Sequence, residues 1–149
     1  FSFERRAVYR RPWPSERLYL ILDPSEDVAT AVERFCCNFL KTVTSADALS
    51  LYRLVVGEGA RFPEIGQIYH ARVQSVNNTI LAHYFAKSMS CGSLRESNPL
   101  RLAQALSGLC ISKVEYLLLS GSTEIYRADF VDSDVNEVRD IFLRAFARN

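Results

Sequence analysis

Cysteine, histidine, acidic and tyrosine side chains are where chemistry could reside in this chain. The four cysteines are Cys36, Cys37, Cys91 and Cys110, and none forms a Cys-x-x-Cys pair. Cys36 and Cys37 are consecutive, so on a helix their side chains diverge. Only His70 and His83 could complete a zinc ligand set, and they fall on different turns of one predicted helix. No metal and no other cofactor is expected, although either histidine could serve a pocket as a lone donor. Reduced intracellular thiols are the preferred reading of the cysteines.

Catalysis is not expected either. No strand-turn-helix elbow frames a nucleophile, and no glycine-rich loop could cradle a phosphate. Glu58 and Glu64 have no obvious partner acid. Glu58 and Arg61 fall at a predicted helix end, where they can pair locally or Arg61 can cap free carbonyls. Binding of an acidic effector there is the lesser alternative. Tyr52, Tyr69 and Tyr84 suit ligand orientation, because a buried hydroxyl needs a partner and a ligand can supply one.

The elements that would position these residues are helices. Asp23-Pro24-Ser25-Glu26 predicts a helix start, with an acceptor at the cap, proline at the first helical position and glutamate following. Val28, Val32, Phe35, Cys36, Phe39, Leu40 and Val43 then form one apolar stripe. Ser45 can cap a second helix ending near Gly57 or Gly59. Its residues Leu49, Leu51, Tyr52, Leu54, Val55 and Val56 predict burial on most sides. Pro63 suits the first turn of a long third helix that stops at Gly92. Asn98-Pro99 opens a fourth, apolar nearly all round as far as Ser120. After a polar connection, Asp132 or Ser133 caps a final helix with the stripe Val135, Val138, Ile141, Phe142, Ala145 and Phe146. Residues 1–22 read poorly, since Arg11-Pro-Trp-Pro14 forbids an ordinary helix interior. Residues 18–22 could form a short helix or an extended apolar run, and helix is preferred because all that follows reads as helical. The fold class is all-α, a bundle of about five to six helices.

Composition agrees with a globular domain, 48% hydrophobic and 23% charged. The net charge of +1 provides no field to hold a polyanion, so the chain alone is a poor nucleic-acid binder. The basic group Arg5, Arg6, Arg10 and Arg11 reads as a solvated face rather than a phosphate contact. No signal peptide is recognised, and no apolar run reads as long enough to span a bilayer. Residue 1 is Phe, which suggests that coding sequence precedes it.

A helix that is apolar on every side needs partners on every side. Its own chain can cover only part of the fourth helix, leaving the remainder for a second subunit or for closure of the monomer core. Ser107 and Gly108 would allow close backbone approach. With the amphipathic last helix, two such pairs could make a four-helix seam across a two-fold axis.

Several segments together carry a family resemblance. They are Val32-x-x-Phe35, Leu51-Tyr-Arg-Leu-Val-Val56, Glu58-Gly-Ala-Arg-Phe-Pro-Glu64 with Tyr69, Leu106-x-Gly108-Leu109, and Ile141-Phe-Leu-Arg-Ala-Phe146. On these the chain resembles the C-terminal regulatory domain of TetR-family transcriptional regulators, in the AefR-like branch. The resemblance implies an effector-binding and dimerisation domain over residues 23–149. Residues 1–22 would be an N-terminal extension or the remnant of a helix connecting to a DNA-reading domain that is absent from this chain. It also implies a cytoplasmic homodimer that meets operator DNA only through that domain. A small apolar or amphipathic ligand would release such a repressor from DNA. Phe35, Phe39, Tyr52, Val56, Phe62, Tyr69, Val73, Leu106 and Cys110 would line the pocket. Gly108, Val114, Leu117, Leu118, Ile141, Phe142 and Ala145 would form the dimer interface. The rival reading is a stand-alone helical interaction module with no ligand, in which the same residues are packed core.

Overall fold

The computed structural model describes residues 22–23 and 25–149. The basic group at residues 5–11, the Pro-Trp-Pro segment and the short helix expected over residues 18–22 lie outside these, except Leu22, which is half-buried and irregular. Among the described residues, six α-helices pack with no sheet, so the all-α class holds.

Helix α1 spans Val28–Val43 and starts later than Asp23-Pro24 implies. Asp23 closes its own turn: its Oδ1 accepts from the Ser25 N–H at 2.9 Å and from the Ser25 hydroxyl at 2.7 Å. Such local bonding competes with helix, and Asp27 takes over the cap by accepting from the Thr30 N–H. Helix α2 spans Ala46–Glu58, with Ser45 Oγ accepting from the Ala48 N–H. It ends at Gly59, where a Cβ would sit 2.6 Å from the Val55 carbonyl oxygen. Burial of α2 on most sides is not what the structure contains. Among the described residues only Leu49 of α2 is buried and Val56 is 43% exposed, because one flank of α2 borders a cavity.

The expected long third helix is a rod in three parts. Helix α3 spans Pro63–Tyr69, a π-helical turn occupies His70–Gln74, and α4 continues over Ser75–Ser90. In that turn the Ser75 N–H bonds back to the His70 carbonyl, one residue further than in an α-helix. The extra residue turns the side chains of α3 by roughly 100° against those of α4.

Helix α5 spans Pro99–Leu119, with Asn98 Oδ1 accepting from the Arg101 N–H at 3.2 Å. Gly121, at φ +72°, redirects the chain after it. The connection holds a short 3-10 turn, Glu124–Tyr126, that buries Ile125. Helix α6 spans Phe130–Phe146, beginning before the expected Asp132 or Ser133. No side chain caps it; buried Phe130 anchors the start, with the Lys113 ammonium 5.5 Å from its ring centre.

Helix α5 is the axis of the core. It packs most extensively on α4, while α1 packs on α6. Phe85 of α4 stacks on Phe142 of α6 at 5.4 Å, which joins the two pairs. Outside, Arg139 of α6 reaches Glu33 of α1 at 2.7 Å. An isolated antiparallel bridge between Leu94 and Ala147 ties the end of α6 to the α4–α5 loop. By length and composition α5 could cross a membrane, which corrects the expectation that no run is long and apolar enough. Part of its apolar surface is used internally: Leu102, Ala103, Leu106, Cys110, Val114, Leu117 and Leu118 are all buried in this fold, while Leu100, Tyr116 and Leu119 are exposed.

Candidate functional site

Between α1, α2, the π-helical turn and α5 lies a cavity of about 370 Å³. Its apolar wall is Phe39 and Val43 from α1, Ala48 and Tyr52 from α2, Tyr69 and Val73 from the rod, and Ile111 from α5. Polar groups punctuate that wall: Thr42, His70, Gln74, Asn77, Asn78, Gln104, Ser107 and Glu115. A mostly apolar cavity with a few placed polar groups is the general form of a small-molecule site.

The wide turn positions much of one side. Tyr69, His70, Val73 and Gln74 all come from it or its edge. From α5 come Gln104, Gly108, Ile111 and Glu115, one stripe at helical spacing. The Tyr52 and Tyr69 rings meet edge-on, 6.4 Å between centres.

The polar groups are tied in pairs. The Tyr52 hydroxyl donates a short hydrogen bond to Glu115 Oε1. Burial pushes the Tyr52 phenol up, and the adjacent Glu115 carboxylate pushes it further. Burial also raises the Tyr69 phenol, so both keep their protons at neutral pH. The Ser107 hydroxyl donates to Asn78 Oδ1 at 3.3 Å, linking α5 to α4. His70 Nδ1 lies 3.0 Å from Gln74 Oε1. Asn77 Oδ1 is buried with no hydrogen-bond partner among the described residues.

Of the nine residues proposed for a pocket, Phe39, Tyr52, Tyr69 and Val73 line this cavity. Phe35, Leu106 and Cys110 do not: each is fully buried in the core. Phe35 stacks behind Phe39 at 5.5 Å. Leu106 lies roughly 200° around α5 from Gly108 and so faces away from the cavity. Cys110 donates its thiol to Cys36 Sγ at 3.6 Å, and that bond together with burial raises its pKa. Val56 is exposed, and Phe62 is half-buried ahead of α3 with the Arg61 guanidinium 5.2 Å from its ring centre.

The residues proposed for subunit pairing also separate. Gly108 lines the cavity. Val114, Leu117, Leu118 and Phe142 are buried within their own chain, while Ile141 and Ala145 face outward on α6. Tyr84 is buried beside Phe85, and His83 is exposed.

Apart from His70, expected as a possible lone donor, the polar groups Thr42, Gln74, Asn77, Asn78, Gln104 and Glu115 were not assigned to the pocket by the sequence reading, which followed apolar spacing. A signal for them existed. Gln104, Gly108 and Glu115 interrupt α5 at i, i+4 and i+11, a polar strip on a helix that is otherwise greasy.

Comparison with known proteins bears on this arrangement. Residues 30–148 match the family model for the C-terminal domain of AefR-like transcriptional repressors. No curated protein matches the chain at a significant level. Two solved structures are similar in fold. One, assigned to the TetR family of transcriptional regulators, comes from Mesorhizobium loti MAFF303099; it is 16% identical, with a TM-score of 0.79 over 99% of this chain and 71% of that one. The other is the flavonoid-responsive regulator FrrA, 17% identical, with a TM-score of 0.74 over 99% of this chain and 74% of that one. A family match spanning most of the helical bundle, on a fold shared with two such regulators, places this chain in the TetR family, as an AefR-like C-terminal domain.

Proposed function

We propose that residues 23–149 are the effector-sensing and dimerisation part of a bacterial, cytoplasmic transcriptional regulator, and that residues 1–22 connect it to a DNA-reading domain. The cavity of about 370 Å³ carries this reading, because it sits inside the segment that matches the regulatory-domain model. A small apolar or amphipathic effector fills it. Two copies pair through the outward sides of α5 and α6. Effector and operator prefer different spacings of the pair, so each weakens the other by linkage, and the regulator represses until the effector binds. The aromatic wall suits this role, and one structural neighbour is named for its response to flavonoids, which are aromatic compounds. Regulators of this family are generally not enzymes, and no catalytic step is assigned.

Fluorescence of the neutral dye N-phenyl-1-naphthylamine tests the pocket. The dye should brighten with the wild-type chain and saturate at one site per chain. Gly108→Phe should abolish the signal. A Cβ at Gly108 meets nothing within 4 Å, so the ring can enter the cavity without disturbing the core. Undiminished brightening in that variant would remove the pocket reading.

A further inference from the structure

The cavity's polar groups are unbalanced in sign. Glu115 brings a carboxylate, whose hydrogen-bond partner among the described residues is the Tyr52 hydroxyl. No Lys or Arg lines the cavity among those residues, and Glu115 takes part in no ion pair there. Asn77 adds a buried amide oxygen with no hydrogen-bond partner among the described residues. Around these acceptors stand the rings of Phe39, Tyr52 and Tyr69.

A ligand that seals the cavity also strips water from Glu115. A neutral ligand leaves that carboxylate with one hydroxyl partner, a costly state for a desolvated charge. An anionic ligand adds repulsion, with no Lys or Arg among the described lining residues to offset it. A ligand bearing a positive charge supplies the missing partner, and aromatic rings attract it further. We infer that the effector class is an organic cation, an amine or quaternary ammonium on an apolar body, with Glu115 as its counter-charge. This rests on the cavity being the effector site.

Displacement of N-phenyl-1-naphthylamine from the wild-type chain tests it with four probes. Benzyltrimethylammonium carries the charge, and neopentylbenzene is its neutral isostere. 4-tert-Butylphenol offers a neutral donor, and 3-phenylpropanoate an anion. The cation should bind at least about tenfold more tightly than any of the other three. Glu115→Gln should erase that advantage while neopentylbenzene binds at least as tightly as before, since no charge is then desolvated, which also shows that the variant is folded. Tighter binding of the phenol or the anion would overturn the inference and leave the pocket reading intact. So would cation affinity unchanged by Glu115→Gln. If the dye itself does not bind, both fall. The wild-type ranking decides the matter even if the variant does not fold.

Discussion

Asp134 is a carboxylate that α6 carries into the core at 3% exposure. Lys113 Nζ stands 3.9 Å from one oxygen, and the other oxygen has no partner among the described residues. Burial raises its pKa, against the opposing pull of Lys113. In the unfolded chain the same carboxyl titrates near its ordinary value of about 4. Between that value and the raised one, the native state therefore holds more protons than the unfolded state. The stability linked to this proton is complete below the unfolded pKa and is lost as pH rises through the folded pKa. As pH rises from about 4 to neutrality, urea denaturation should show the wild type losing more stability than Asp134→Asn. Equal pH slopes in the two proteins would contradict this. Spacing alone puts Asp134 on the buried face, four residues after Phe130 and four before Val138, but a polar residue near a helix start reads as a solvated position.

At the scale of elements, the π-helical turn is the feature to test. Removing the exposed Ala71 should let α3 and α4 run as one regular α-helix. Far-UV circular dichroism should stay helical, while binding of N-phenyl-1-naphthylamine weakens by at least about tenfold. Retained affinity would mean that the turn does not set the pocket. Much of the element order was legible because its punctuation is local: Ser45 and Asn98 cap α2 and α5 through their own side chains, and Pro63 and Gly92 bound the rod. The turn at 70–74 was not. Helical spacing tolerates a single extra residue, since apolar positions at i+3 and i+4 are both allowed and a slip of one falls between them. The starts of α1 and α6 were misplaced for a related reason. Asp23 spends its acceptor on Ser25, and Phe130 is fixed by tertiary burial rather than by a cap. The cavity was only partly legible, because Phe39 faces it while Phe35, one turn earlier on the same stripe, is closed into the core.

At the scale of the whole molecule, the exterior of α5 determines how copies meet in the proposed dimer. Tyr116 is 72% exposed and Leu119 is 61% exposed, one turn apart, while Ile141 on α6 is 54% exposed. Sedimentation velocity should record a dimer for the wild-type chain at micromolar concentration. The double substitution Tyr116→Glu, Leu119→Glu should shift it to monomer. Thermal stability of the isolated fold should barely change, by about 0.5 kcal/mol or less, as for surface sites generally. A wild-type monomer, or a double variant that still dimerises, would dismiss this seam. The wide turn within the rod also bears on how such molecules diversify. Residues before it can be re-aimed by gain or loss of one amino acid, while Leu81, Tyr84 and Phe85 after it keep their seats in the core. In the proposed sensor, chemical taste could therefore drift without refolding, and homologues differing by a single-residue insertion here would share one scaffold yet answer to different compounds.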